Sequence, residues 1–201
     1  MKHEAATLHT KKALAAALKQ RMEHKPLSKI TVSEIAADCG LNRKTFYYHF
    51  PDIYSLLKWM LEQEAVEVVR QFDLLIDYQD AILFVINYVE DNAHILNCAY
   101  DSMGREEMKR FFYNDLIGIM RTAVEQAERE LGLRVAADFK SFLCNLCTEA
   151  LAGMLINRFQ HPDEYSKEQV LEYLSLILRS TLPAVLENAP KEPPEQGIET
   201  P

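Results

Sequence analysis

Thr31-Val32-Ser33-Glu34-Ile35-Ala36-Ala37-Asp38-Cys39-Gly40-Leu41-Asn42-Arg43-Lys44-Thr45-Phe46-Tyr47-Tyr48-His49-Phe50 is the stretch on which the fold turns. Its first four residues have capping-box chemistry. The Thr31 hydroxyl accepts from a free backbone N–H, and Glu34 reaches back to the cap. Gly40 ends that short helix, because glycine takes a left-handed C-terminal turn at low cost. Asn42 is a favoured N-cap and opens a second short helix that runs through Phe50. Ile35, Ala36, Leu41, Phe46 and Phe50 are spaced to share one small core, with Phe46 and Phe50 one turn apart. The layout predicts a helix-turn-helix.

The other face of the second short helix carries Arg43, Lys44, Thr45, Tyr47, Tyr48 and His49. A helix in this position enters the DNA major groove with its N-terminal residues toward the base edges. Arg and Lys pair with guanine acceptors, and a Thr methyl packs on a thymine methyl. Tyr and His suit phosphates, which fix register without reading sequence. The bland alternative is a helical hairpin with a solvated polar face.

Helical periodicity extends outward on both sides. Upstream, Leu14, Ala15, Leu18 and Met22 form one face of a helix over residues 7–23, and Pro26 breaks it. Downstream, Asp52 caps a helix reaching about residue 70. Further helices are predicted over 78–92, 93–101, 106–131, 135–159 and 166–186, which makes about nine. The fold class is all-α. An N-terminal three-helix DNA-binding domain (1–52) precedes a helical effector-binding and dimerisation bundle (53–186). A tail (187–201) carries Pro190, Pro193, Pro194 and Pro201 and reads as disordered.

Composition agrees with one soluble globular unit: 201 residues, 48% hydrophobic and 26% charged. Six glycines, with four of the eight prolines inside the last dozen residues, argue against a turn-rich β-sandwich. The net charge of −8 divides unevenly. Residues 1–60 hold ten Lys/Arg and five Asp/Glu, whereas residues 61–201 hold twelve and twenty-five. A cationic head on an acidic body is the pattern of an anion binder. No unbroken apolar run reaches about 18 residues, so no membrane partner is expected. The opening Met1-Lys2-His3-Glu4-Ala5-Ala6 lacks the apolar core of a secretory signal. The expected location is cytoplasmic.

The head stretch closely resembles the signature of TetR/AcrR-family transcriptional regulators, by motif over roughly residues 8–60. The resemblance implies a homodimer whose third helices enter successive major grooves of a palindromic double-stranded operator. Carried over by position, Thr31 and Ser33 meet phosphate, and Asn42, Arg43, Lys44 and Thr45 approach bases. Tyr47 and His49 meet backbone, and Tyr48 does either. The chain departs from the family at two places. Lys44 stands where a small Gly is frequent, and Ile53 stands where the fourth helix usually begins with Lys. The run Thr45–Trp59 is similar to the branch that includes dihydroxyacetone kinase regulators, some of whose members work through a partner protein.

In the body, the helices at 135–159 and 166–186 have apolar faces wider than one neighbour needs. Such a pair, meeting its symmetry mate, forms a four-helix interface. Leu151, Leu155, Tyr173, Leu174 and Ile177 are the interface candidates. Trp59, Tyr88, Tyr100, Met103, Phe112, Met120 and Phe142 are candidates to line an effector pocket, with core packing as the alternative for each. The effector is either a small molecule or a protein, and no cofactor is expected. Cys144 and Cys147 have redox-pair spacing but sit mid-helix in an apolar run, where a thiolate gains nothing. His94 and His161 have no partners at metal-ligand spacing. No phosphate loop, nucleophile elbow or paired-carboxylate signature occurs, so enzyme activity is not expected. A helical protein-interaction adaptor remains the rival outside transcription.

Overall fold

A computed structural model of the chain describes residues 2–73 and 76–192. Among the described residues nine helices run in chain order: α1 (Lys2–Met22), α2 (Val32–Asp38), α3 (Arg43–His49), α4 (53–69), α5 (Tyr78–Asp91), α6 (Ala93–Met103), α7 (Arg105–Glu130), α8 (Ala137–Gln160) and α9 (167–188). A 3₁₀ turn, Leu27–Lys29, follows the Pro26 break. Two helices contain a π-helical turn, Glu62–Val66 in α4 and Ile177–Thr181 in α9. No β-strand occurs among the described residues. A lone antiparallel bridge joins Val135 to Lys191.

Besides a small cluster of Val66, Val69 and Ile119, two cores hold the molecule. The larger is shared by head and body. Leu14, Leu18 and Met22 of α1 pack with Ile35, Phe46 and Phe50, with Leu56, Leu57 and Met60 of α4, and with Leu96 and Ile156 of the body. The second lies within the body, where Met120 and Val124 of α7, Leu143 and Cys144 of α8, and Leu182 and Leu186 of α9 meet. Burying a side chain of this size stabilises by about 1.5–3 kcal/mol. The continuity of the first core therefore couples the head to α6 and α8 energetically.

Two expectations are corrected, and one helix stands out by its composition. The first helix begins at Lys2 and not at Thr7, since no breaker lies between them. The segment after Glu187 is docked as far as residue 192: Asn188 ends α9, Ala189 is buried, and the Ala136 N–H donates to the Pro190 carbonyl at 2.8 Å. Pairing with the loop before α8 satisfies backbone groups that the composition alone assigns to solvent. The prolines at 193, 194 and 201 lie outside the described residues. Finally, α8 is long and apolar enough, by length and composition, to cross a membrane (mean hydropathy 1.3), and only 28% of its most apolar stretch is buried.

Candidate nucleic-acid interface

The head is built from short-range chemistry. Thr31 caps α2: its hydroxyl accepts from the Glu34 N–H at 3.3 Å, while Glu34 Oε2 accepts from the Thr31 N–H at 2.8 Å. Gly40 then turns the chain with φ +64°, a conformation costly for any residue bearing a Cβ. Asn42 caps α3, its Oδ1 accepting from the Thr45 N–H at 2.8 Å and from the Thr45 hydroxyl at 3.2 Å. Phe46 is fully buried, its ring 6.1 Å from Phe50.

Ion pairs fix the angle between α1 and α2. Arg21 donates to Asp38 at 2.7 Å and to Glu34 at 3.2 Å, and Lys25 pairs with Glu34 as well. Hydrogen bonds from Lys25 and Thr31 hold the Glu34 carboxyl down at about 2. Hydrogen bonding to Arg21 likewise lowers Asp38.

With the apolar side of α3 anchored, its polar side is left outward. Arg43, Lys44, Tyr47 and Tyr48 are exposed, Tyr48 the most at 71%. The Arg43 guanidinium lies 5.9 Å from the Tyr47 ring centre. His49 is half-buried, and burial together with the charge of Lys11 holds its imidazole below the usual value. Thr31 and Ser33 are exposed at the start of α2. The nine head residues named from the sequence lie on α2 and α3 or at their N-caps, and none of them is buried. Two of them carry a second duty: the Asn42 side-chain carbonyl accepts from the Thr45 hydroxyl in the cap.

The contacts between head and body were not legible in the sequence. His94 Nε2 of α6 lies 2.8 Å from the Met22 carbonyl at the end of α1. The Leu27 N–H donates to Cys98 Sγ at 3.0 Å. Glu64, in the π turn of α4, accepts from Lys19 of α1 at 2.8 Å and from the Tyr88 hydroxyl of α5 at 3.1 Å. Burial and the Glu64 charge raise the Tyr88 phenol strongly, so it stays a donor. These links join residues more than 20 positions apart, and no local pattern signals them.

The residues expected to line a pocket are dispersed. Trp59 packs against Phe50 (5.8 Å) at the head. Tyr88 is in the Glu64 link. Tyr100 and Phe112 pack on Phe159 at 6.0 and 6.5 Å. Met103 packs on the larger core, and Met120 is buried in the second. Phe142 is 62% exposed on α8. Two concavities on the body are open surface grooves. Glu106, Glu107, Lys109, Arg110, Tyr113 and Glu149 form one; Arg121, Val124, Glu125, Lys140 and Cys144 are among those forming the other. Neither is lined by any of the seven.

The candidate interface residues also separate. Leu151 and Leu155 turn inward, onto the second and the larger core respectively. The outward stripe of α8 is instead Phe142, Leu146 and Met154, at 62, 55 and 46% exposure. On α9, Tyr173 and Ile177 are exposed as expected, Leu176 joins them, and Leu174 is half-buried. Burial raises the thiols of Cys144 and Cys147, which disfavours their reactive form.

Comparison with known proteins covers both halves. The family described as bacterial regulatory proteins, tetR family, matches residues 13–60, and the transcriptional regulator C-terminal region matches residues 77–180. The HTH-type dhaKLM operon transcriptional activator DhaS of Lactococcus lactis subsp. lactis is 22% identical over 145 residues, covering 72% of this chain and 76% of that protein. The nucleoid occlusion factor SlmA of Shewanella amazonensis is 24% identical over 170 residues, covering 76% and 86%. The HTH-type transcriptional regulator EthR of Mycobacterium tuberculosis is 34% identical over 62 residues, 31% of this chain and 27% of that protein. Among solved structures, the dihydroxyacetone kinase operon activator DhaS superposes with a TM-score of 0.64 at 21% identity, covering 89% of this chain and 96% of that one. NalD of Pseudomonas aeruginosa gives 0.53 at 16%, covering 87% and 96%.

Proposed function

The chain belongs to the TetR family of DNA-binding transcriptional regulators, and from that premise we propose that it acts in the cytoplasm as a homodimer on a palindromic operator, under control of an effector that engages the body. The families it matches are regulators and not enzymes. One observation carries the proposal. A cationic and aromatic face on α3 stands outward at one end of the molecule, while an apolar stripe on α8 and α9 stands outward on the body. The first is suited to duplex DNA. The second is suited to a two-fold mate, which would bury the same residues on both subunits.

In this reading Arg43 and Lys44 reach base edges, with the Thr45 methyl and the Asn42 amide beside them. Thr31, Ser33, Tyr47, Tyr48 and His49 meet the phosphates. His49, whose imidazole is held below its usual value, serves as a hydrogen-bonding group. The two α3 helices of the dimer must sit about 34–36 Å apart to enter successive grooves. Contacts from α6 to the end of α1, and from α5 to α4, give a body-bound effector mechanical access to that spacing. Selection of duplexes from a random pool by the purified protein tests the proposal. Enriched inverted repeats with half-sites one helical turn apart are expected, and enrichment of no DNA overturns it.

A second reading makes the effector a protein. Six of the seven side chains expected to line a ligand pocket pack in or against the cores instead, Phe142 is exposed, and the surface grooves carry charged residues. Small-ligand sites are concave and mostly apolar. A metabolite mixture that raises the melting temperature favours the small-ligand form, since binding to the folded state stabilises it. No change with any metabolite favours the protein form.

A further inference from the structure

We infer that Lys11 of α1, which lies outside the matched tetR segment, is a DNA phosphate contact that extends the row of backbone contacts beyond the C-terminal end of α3; the inference rests on the proposed DNA-binding role of the head. The cations of α1 fall into two groups. Lys19 and Arg21, in its last turns, are neutralised by Glu64, Glu34 and Asp38. Lys11 and Lys12 have no carboxylate partner among the described residues, and residues 5–22 contain no acid at all. The paired cations serve the fold, whereas the unpaired ones leave an uncompensated field.

Lys11 is also held in place. Its Nζ lies 5.4 Å from the Phe50 ring centre and 5.6 Å from that of Trp59. Phe50 caps the end of α3, and Trp59 belongs to α4. Ring faces attract an ammonium without cancelling its charge, and the half-buried stem limits the rotamers lost when a ligand binds. The charge is felt at His49, whose imidazole it helps to hold down. So a fixed, uncompensated cation sits at the α3–α4 corner, next to the last turn of the recognition helix.

The direction of α1 places that corner away from the body. Its C-terminal end touches α6 through the Met22 carbonyl and His94. Lys11 is about 16 Å back along the helix axis, at 1.5 Å per residue. An anion meeting Lys11 therefore approaches from the same end as the exposed face of α3. A duplex would offer its phosphates there, whereas the body carboxylate that reaches α1, Glu64, is bound to Lys19, two turns nearer the C-terminal end.

The test uses the full chain and a short mixed-sequence DNA duplex, with affinity followed against salt by fluorescence anisotropy. Lys11→Met keeps the apolar stem on the rings and removes the charge. The expected result is a log–log salt slope smaller by about 0.9 and an affinity about 8-fold weaker at 0.1 M salt. Lys11→Arg should restore the parent slope, and Lys19→Met should not alter it. A parent slope in Lys11→Met, with or without a lower melting temperature, overturns the inference and leaves Lys11 a structural tether. If the parent chain itself binds no duplex, the DNA-binding reading of the head fails along with it.

Discussion

Arg43 and Tyr47 share the outward face of α3 and touch each other, yet they are assigned different work. A guanidinium near the helix start can make a bidentate contact to one base, while the single O–H of a phenol one turn later is assigned to phosphate. Arg43→Ala should therefore cost about 1–3 kcal/mol on the preferred operator and relax selectivity at one position. Tyr47→Phe should weaken binding nearly equally across sequences. Binding isotherms on the selected operator and on point-mutated operators separate the two, and parent-like binding by both variants removes α3 from the interface. Asp115 belongs to the same scale. It is 5% exposed on α7, its Oδ2 has no hydrogen-bond partner, and burial pushes its carboxyl up to about 6. The folded state then holds the proton more tightly than the unfolded chain, so stability falls as pH rises from about 4 to 6. Asp115→Asn should remove that fall and add about 2–3 kcal/mol at pH 7, measured by urea unfolding at pH 5 and pH 7. Equal stability of the two proteins at pH 7 would show that the carboxylate finds a partner.

At the scale of elements, α2 and α3 are held by caps and by one ion cluster. Glu34 serves both, as N3 partner of Thr31 and as the anion for Arg21 and Lys25. Because its carboxyl is held down, its contribution is present above about pH 4.5 and is lost as pH falls toward 2. Thermal melts between pH 5 and pH 2 should show the parent losing stability across that window, with Glu34→Gln starting lower and changing less. Parallel curves would rule out Glu34 as the source. The elements were legible to different degrees. Thr31, Gly40 and Asn42 announce their turns because each acts on neighbours within a few residues. The π turns in α4 and α9 carry no such announcement. The one in α4 places Glu64 between Lys19 and Tyr88, partners supplied by other helices.

At the scale of the whole molecule, the body presents an apolar stripe that its own chain leaves uncovered. Phe142, Leu146 and Met154 recur every four to eight residues along α8, and Tyr173, Leu176 and Ile177 lie on α9. Leu146→Asp should leave the monomer fold intact, since Leu146 is already exposed. In the proposed homodimer it should separate the subunits by putting like charges across the two-fold axis. Sedimentation velocity should show the mass halved, with operator affinity falling because only one half-site is held; an unchanged mass would place the dimer contact elsewhere.

By itself the sequence determined the all-α class, the helix-turn-helix and the residues of its outward face. Those features depend on caps, a left-handed turn and i to i+4 spacing, all of which act over less than two helical turns. Tertiary packing decided which apolar residues face inward. On a helix as apolar as α8, periodicity does not select one face, so Leu151 and Leu155 turn into the cores while Phe142 and Leu146 remain outside. Packing likewise placed Lys11 against Phe50 and Trp59, and His94 against Met22. Contacts between residues 39 to 72 positions apart are set by how whole helices dock, and that energy is absent from any local stretch of chain.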